Sequence, residues 1–138
     1  MRTFTSRQGA PTVLVATASG ERHVIGASLV GAAAALEGWN VLYLGANLPA
    51  AEIAAAAVSA AVRLVAVSII YVESSDAVLA EMRTLREKLP AEILLIAGGA
   101  GALILSKQLT AMRVRVESSM PEFLGELRQK EHQPAGAS

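Results

Sequence analysis

The sequence predicts a single α/β domain, in which a five-stranded parallel sheet carries helices on both faces. The 138 residues are a usual length for one domain. With 53% hydrophobic and 17% charged residues, the composition indicates elements that are buried on both faces. Short β-branched runs alternate with longer helical segments five times, which is typical of repeated strand–helix units.

The first two units are marked by clear boundary signals. A buried strand is predicted at residues 12–17 (TVLVAT), and a small-residue helix at 24–38 is closed by Gly38 as its C-cap. A second strand follows at 40–44 (NVLYL). The second helix, at 49–61, opens with a proline, which suits the first turn of a helix.

Three further units continue the alternation. Ser74 or Ser75 can cap the third helix, which ends before Pro90. The fifth strand alternates charged and aliphatic residues, as an edge strand does. The predicted strands lie at 63–70 (RLVAVSII), 91–97 (AEILLIA) and 112–116 (MRVRV). A helix follows each of the first two of these strands, and the helix after 91–97 runs from GGAGA to about 110. A last helix is predicted at 121–130.

Together these units predict a flavodoxin-like, doubly wound sheet of strand order 2-1-3-4-5 in a three-layer αβα arrangement. The domain covers residues 12–130, with an N-terminal tail at 1–11 and a C-terminal tail at 131–138. In such a sheet the ligand binds beyond the carboxyl ends of the strands, where the strand order reverses. The loops after the first, third and fourth strands are therefore the candidate site.

The composition also excludes several classes of function. Twelve basic and twelve acidic residues give a net charge of zero, which predicts no direct binding of nucleic acid by this chain. The absence of cysteine excludes disulfides and thiolate metal sites and favours a cytoplasmic location. We expect no membrane span and no signal peptide, because the apolar runs are short and interrupted.

The first candidate loop contains the segment GERHVIG, in which His23 precedes the first helix. A position beside a helix N-terminus favours neutral imidazole, the commonest metal ligand, and Glu21 could hold its other ring nitrogen. One histidine cannot bind a free metal ion, and the only aspartate is Asp76. A metal could bind here if it arrived in a ring that filled its other positions. Alternatively, His23 simply begins a helix and meets water.

Small residues mark the other two loops. Ser68 ends the third strand, Gly98 and Gly99 end the fourth, and Gly26 lies at the start of the first helix. Together they would form a slot between strands that suits a long, thin ligand group. Each also has a structural explanation: a strand-end hydroxyl that bonds the backbone, or a turn that enters a helix.

These three segments resemble the motifs of the cobalamin (vitamin B12)-binding domain family. The sequence has E-x-H-x-x-G at 21–26, S-x-I at 68–70 and G-G at 98–99, where the family has Asp-x-His-x-x-Gly, Ser-x-Leu and Gly-Gly in this order. The resemblance covers roughly residues 12–127. Glu21 replaces the usual aspartate and Ile70 the usual leucine.

The resemblance implies that cobalamin binds in a base-off, His-on mode. His23 would be the lower axial ligand of cobalt with Glu21 as its hydrogen-bond partner, and the dimethylbenzimidazole tail would enter the slot. Adenosylcobalamin is the expected form, with methylcobalamin and hydroxocobalamin as the other candidates. The residues that the resemblance assigns to the cofactor are Glu21, Arg22, His23, Val24, Ile25, Gly26, Ser68, Ile70, Ser74, Gly98 and Gly99, with His23 as the metal ligand.

Glu21, together with the segment GWNVLYLGANLP at 38–49, is similar to the C-terminal sensor domains of light- and cobalamin-responsive MerR-type regulators. This similarity implies a non-enzymatic photoreceptor that regulates transcription through a homo-oligomer, a protein partner or a separate DNA-binding part. About a dozen residues precede the first strand, so we expect no DNA-binding segment in this chain. The alternative within the family is a corrinoid carrier subunit of a methyltransferase or mutase.

Two hypotheses outside the family remain. A flavin-binding flavodoxin is suggested by the segment TASGER at 17–22, which partly resembles a phosphate loop, and by Tyr71 as a stacking aromatic. An unliganded assembly domain is the other. The sequence lacks G-x-G-x-x-G after the first strand, which disfavours a dinucleotide site. We expect Glu73 and Glu117 to cap helices and not to form a catalytic pair.

Overall fold

The computed structural model describes residues 2–3, 9–17, 25–44, 48–70, 72 and 74–131, with side chains described at 9–17, 30–44, 48–70, 72 and 74–130. The strands are β1 (Arg2–Thr3), β2 (Thr12–Thr17), β3 (Asn40–Tyr43), β4 (Leu64–Ser68), β5 (Leu94–Gly98) and β6 (Arg115–Glu117). The helices are α1 (Ile25–Leu36), α2 (Ala50–Ser59), α3 (Ser75–Lys88), α4 (Ala100–Ile104), α5 (Ser106–Ala111) and α6 (Met120–Glu131).

The strands form one sheet in the order β1-β3-β2-β4-β5-β6. The five strands from β2 onward are parallel and, counted from β2, have the predicted order 2-1-3-4-5, so this prediction is confirmed. The strand β6 lies at an edge, as its alternating charges indicate. At the other edge β1 pairs antiparallel with β3, so two residues of the segment assigned to the N-terminal tail extend the sheet.

Helices cover both faces of the sheet, and each face has its own core. On one face, residues of α1 and α6 pack with Trp39 against alternate strand residues. The opposite face packs against α2, α3, α4 and α5. Because successive side chains of a strand point to opposite faces, neighbouring residues of the central strands belong to different cores. The α1/α6 core contains Val13, Val15, Ala34, Trp39, Val41, Leu64, Ala66, Ile96, Phe123 and Leu127.

The helix ends described here lie where the sequence signals predict them, except at the start of α2. Gly38 follows α1 with φ of 93°, the left-handed conformation of a C-terminal glycine. Ser74 is the N-cap of α3, since its Oγ accepts a hydrogen bond from the Ala77 N–H at 3.3 Å. Pro49 precedes α2 as its N-cap residue and is not its first helical residue. The N–H of Ala50 donates instead to Glu81 Oε2 at 3.1 Å, so α3 caps α2.

The prediction of one continuous helix after the fourth strand is wrong. The segment forms two short helices, α4 and α5, which are separated at Leu105 with φ of −99° and ψ of 15°. Leu105, Ala102 and Leu109 are all buried in the same core. The turn at Leu105 allows both short helices to pack on the sheet. No helix among the described residues is long and apolar enough to cross a membrane.

Candidate ligand-binding site

Four side-chain positions form a row across the carboxyl end of the parallel sheet. Thr17 of β2 is in register with Ser68 of β4, Ser68 with Gly98 of β5, and Gly98 with Glu117 of β6. All four face the α1/α6 layer. Thr17, Ser68 and Gly98 each lie two residues after a strand residue of the α1/α6 core, and Glu117 is in register with Gly98. The last row of the sheet therefore presents two hydroxyls, one glycine and one carboxyl group.

A cavity of about 260 Å³ lies beside this row. Its floor is the sheet, and its walls come from α1 and α6 through Val30, Met120 and Phe123. Pockets for drug-sized ligands measure roughly 300–1,000 Å³, so this cavity suits a group of one bicyclic ring. Its lining is mainly apolar and comprises Val15, Val30, Ala66, Val67, Ser68, Ile70, Ile96, Gly98, Gly99, Glu117, Ser118, Ser119, Met120 and Phe123.

The two adjacent glycines of the cavity wall, Gly98 and Gly99, are present for different structural reasons. Gly99 has φ of 104°, and a Cβ there would lie 2.5 Å from the Ile69 carbonyl oxygen. The fold therefore requires glycine at 99, where the chain turns into α4. Among the described residues, a Cβ at Gly98 would meet only the Glu117 carbonyl oxygen, at 3.7 Å, which is an ordinary contact. Packing does not explain the glycine at 98, whereas an open cavity does.

Two polar atoms of the row are buried without a hydrogen bond. Among the described residues, Thr17 Oγ1 and Glu117 Oε1 have no partner, although Thr17 is fully buried. The pKa of Glu117 is raised to about 7, first by burial, then by the negative charge of Glu126 and by a side-chain hydrogen bond with Glu122 and its charge, against the opposing effect of Arg115. Such orphaned groups are unusual in folded proteins and mark a place where a ligand can supply the missing partner.

Glu117 does not cap α6, contrary to the prediction. The start of α6 is capped by its neighbours: Ser119 Oγ accepts from the Glu122 N–H at 3.4 Å. Glu122 Oε1 accepts from both the N–H and the hydroxyl of Ser118 at 2.8 Å, and these bonds lower the pKa of Glu122. Glu117 ends β6 and faces the cavity, because the strand extends one residue further than predicted.

The structure brings four of the predicted site residues together in the cavity wall: Ser68, Ile70, Gly98 and Gly99. Ser74 does not join them, because it is exposed and its hydroxyl caps α3, which packs on the opposite face. Residues 21–24, which include His23, lie outside the described residues, and so do Tyr71 and Glu73. Ile25 and Gly26 are the first residues of α1, and only their backbone is described.

The sequence analysis did not single out Thr17 and Glu117, which the structure places in the polar row at the end of the sheet, as candidate cofactor contacts. The alternation of the strands could have indicated both, since Thr17 ends the first predicted strand and Glu117 directly follows the last. Within the described part of the chain, no group of three or more His, Asp or Glu side chains could hold a metal ion.

Comparison with solved structures finds the same fold in corrinoid proteins. A novel cobalamin-binding protein from Desulfitobacterium hafniense DCB-2 has a TM-score of 0.73 at 20% identity, over 89% of this chain and 59% of that chain. The Methanosarcina barkeri monomethylamine corrinoid protein has a TM-score of 0.71 at 20% identity, over 88% and 59%. The methanol:cobalamin methyltransferase complex MtaBC from the same organism has 0.66 at 20%, over 89% and 52%. This chain thus spans somewhat more than half the length of these proteins.

No curated protein matches the sequence. The family model described as "B12 binding domain", however, matches residues 11–119, which include strands β2 to β6 and all the motifs of the three loops. This match supports cobalamin as the ligand and favours it over the flavin alternative. It also agrees with a protein that binds a cofactor without itself being an enzyme. The chain belongs to the B12-binding domain family.

Proposed function

We propose that this chain binds a cobalamin through the cavity at the α1/α6 face and acts as the corrinoid carrier of a methyl-transfer system. The observation that carries the proposal is the open side of Gly98, since the packing of the fold does not require glycine there. The family match supports the ligand. Two similar structures, a monomethylamine corrinoid protein and a methanol:cobalamin methyltransferase complex, support the carrier role.

The cavity would take the nucleotide tail of the cofactor. Its apolar walls, including Ile70 and Phe123, suit the two faces of an aromatic base, while the hydroxyl of Ser68 offers a hydrogen bond at the edge. Gly98 would leave the entrance free of side chains. A corrinoid with these contacts supplies the cobalt–carbon bond chemistry that amino acid side chains lack.

His23 is proposed as the axial cobalt ligand with Glu21 as its hydrogen-bond partner. In the chain, both lie between Thr17, which ends β2 in the last polar row, and Ile25, which starts α1. Helix α1 also supplies Val30 to the cavity wall. The segment that contains His23 therefore joins two elements, β2 and α1, that both line the cavity.

The light-sensor role predicted from Glu21 and residues 38–49 has less support than the carrier role. The similar structures above are named as cobalamin-binding or corrinoid proteins and as a methyltransferase complex, and not as regulators. The carrier was the alternative within the same family and becomes the main proposal. An adenosylcobalamin-loaded sample separates the two roles, since a sensor of this kind would change its oligomeric state on illumination.

The test is reconstitution of the purified chain with hydroxocobalamin and methylcobalamin, followed by absorbance titration. The chain has two histidines, so His132→Ala is the matched control for His23→Ala. We expect wild type and His132→Ala to bind with a His-on spectrum, and His23→Ala to bind more weakly and lose it. Nitrogen coupling in the paramagnetic resonance spectrum of the cobalt(II) form, altered by ¹⁵N-histidine labelling, identifies the imidazole ligand directly.

Two results would contradict this proposal in different ways. If neither cobalamin binds to wild type, the cofactor assignment is wrong. If His23→Ala keeps the affinity and spectrum of wild type, the cofactor binds but its axial ligand is another group.

A further inference from the structure

A second groove, of about 520 Å³, lies at the amino end of the sheet, opposite to the end that carries the cavity described above. Three elements bring a cation to it: Arg86 comes from the end of α3, Arg113 from the turn before β6, and Lys130 from the end of α6. The start of β5 at Leu94 forms part of its wall. We call this feature the amino-end groove.

The ends of the surrounding helices do not occupy all of these cationic donors. Cations near a helix C-terminus often serve its last carbonyl groups. At the end of α6 that role belongs to Arg63, whose Nη1 donates to the Lys130 carbonyl oxygen at 3.1 Å. Arg86 donates to the carbonyl oxygens of Pro90 and Ile93 through Nη2 alone. Its Nε and Nη1 therefore have no hydrogen-bond partner among the described residues.

The carboxylates of the amino-end groove do not pair with its cations. Glu87 and Glu92 line the groove and are exposed, whereas Arg86 and Lys130 are half-buried. Within the described part of the chain, neither carboxylate forms an ion pair with any of the three cations. The pKa of the Arg86 guanidinium is lowered, first by burial and then by the positive charge of Arg113. Two like charges thus lie close together without a counter-ion from the described protein.

The backbone at Arg113 does not favour an arginine. Arg113 follows α5 with φ of 66°, the left-handed conformation that glycine adopts without strain and other residues adopt at a cost. Its N–H donates to the Thr110 carbonyl oxygen at 3.1 Å, a bond that any residue except proline could make. The side chain itself is exposed and lines the groove. Turn geometry does not account for the arginine, whereas a ligand for its guanidinium does.

We propose that the amino-end groove binds a small molecule through a doubly charged oxyanion, a phosphate or a dicarboxylate, held by Arg86, Arg113 and Lys130. The planar fork of a guanidinium matches the oxygens of both groups, and an ammonium adds a point charge. The volume lies within the usual range for small-molecule sites. This inference goes beyond the proposed function and does not depend on it, because the groove and the cobalamin cavity lie at opposite ends of the sheet.

The experiment titrates the full chain without cofactor at pH 8 with sodium phosphate and, separately, with sodium malonate. Sodium chloride keeps the ionic strength constant, so that general screening does not change during the titration. Binding is measured from the rise in Tm and from the amide chemical shifts of the groove residues. The two anions distinguish a site for phosphate from a site for a dicarboxylate.

Arg113→Gly and Lys130→Met each remove one cation from the groove. Lys88→Met is the matched control for charge, since Lys88 is an exposed cation of α3 that does not line the groove. Ala61→Gly is the matched control for the backbone, because Ala61 follows α2 with φ of 52°. Both glycine variants should raise the Tm of the free protein, so a loss of binding in Arg113→Gly cannot be due to unfolding.

We expect the affinity of wild type for at least one of the two anions to fall about tenfold in Arg113→Gly and in Lys130→Met. It should change by less than about twofold in Lys88→Met and in Ala61→Gly. Glu92→Gln, which removes a negative charge from the groove, should bind the anion more tightly than wild type.

Two results would overturn the inference. The first is a wild type whose Tm and amide shifts show no saturable response to phosphate or malonate. The second is an equal loss of affinity in Lys88→Met and Arg113→Gly, which would mean that the anions respond to the overall charge of this end of the protein and not to a site.

Discussion

Gly98 and Glu117 are register partners on the parallel strands β5 and β6, and a Cβ at Gly98 would lie 3.7 Å from the Glu117 carbonyl oxygen. That distance is an ordinary van der Waals contact. The fold would thus accept a side chain at position 98, and such a side chain would project into the cavity that Gly98 lines. The glycine keeps a space open that the protein's own packing leaves unfilled.

Gly98→Val tests this relationship directly. Valine suits a strand, so we expect the free energy of unfolding to stay within about 1 kcal/mol of wild type. Its methyl groups would occupy the cavity, so cobalamin affinity should fall by about tenfold or more, which corresponds to about 1.4 kcal/mol. Urea unfolding and absorbance titration measure the two effects. An unchanged affinity would show that the ligand does not use this cavity.

The neighbouring glycine should respond in the opposite way. In Gly99→Ala the Cβ would lie 2.5 Å from the Ile69 carbonyl oxygen, at φ of 104°, so either the turn or the start of α4 must shift. We expect a loss of about 2 kcal/mol or more in the free energy of unfolding. Gly98→Ala is the matched control and should change stability by less than about 1 kcal/mol. Equal losses in the two variants would contradict this distinction.

Much of the fold could be predicted because its signals are local. The alternation of strands and helices fixes a parallel sheet, and the order 2-1-3-4-5 follows from the handedness of the connections and the edge character of β6. Gly38 and Ser74 mark helix ends through their own backbone and hydroxyl chemistry. The cavity residues Ser68 and Gly98 were found because both end strands of the same sheet.

The remaining features depend on contacts between distant residues. Glu117 next to two serines has the pattern of a helix cap, and only the register of β6 against β5 places it in the cavity. Ser74 lies close in sequence to the cavity residues, yet α3 packs on the other face of the sheet. No glycine or proline marks the helix interruption at Leu105 in the sequence, because the interruption follows from the packing of α4 and α5.

The stability of the free protein should depend on pH through Glu117. Its pKa is raised from 4.5 to about 7 on folding, so the folded state favours the protonated form. This contribution is fully present below pH 4.5 and is lost as the pH rises to about 7. We therefore expect wild type to lose stability between pH 5 and pH 8 relative to Glu117→Gln, as measured by urea unfolding. Parallel curves for the two proteins would contradict the raised pKa.

Arg86 offers a destabilising variant away from the cavity. Its guanidinium donates to the carbonyl oxygens of Pro90 at 2.9 Å and Ile93 at 3.0 Å, so it ties the end of α3 to the turn before β5. We expect Arg86→Met to lower the free energy of unfolding by about 1–3 kcal/mol, because two acceptors lose a charged donor. Cobalamin affinity at 20 °C, where the variant remains folded, should not change. A parallel loss of affinity would mean that the cavity depends on this distant turn.

Thr17→Val tests whether the buried hydroxyl of Thr17 lowers the stability of the free protein and contacts a ligand. Thr17 is fully buried, and its Oγ1 has no hydrogen-bond partner among the residues described. Valine has nearly the same shape without the hydroxyl, so the free protein should gain about 1 kcal/mol of stability.

The converse exchange is Val15→Thr, two residues earlier on the same face of β2, which should lose a similar amount because it buries a new hydroxyl in the core. Urea unfolding of the free proteins measures both changes. The thermal shift caused by hydroxocobalamin should be smaller in Thr17→Val than in wild type, because the ligand would lose a polar contact in the row that Thr17 shares with Ser68. If Thr17→Val is less stable than wild type, the hydroxyl already has a partner within the protein, and the row gives no support to a polar ligand contact at this position.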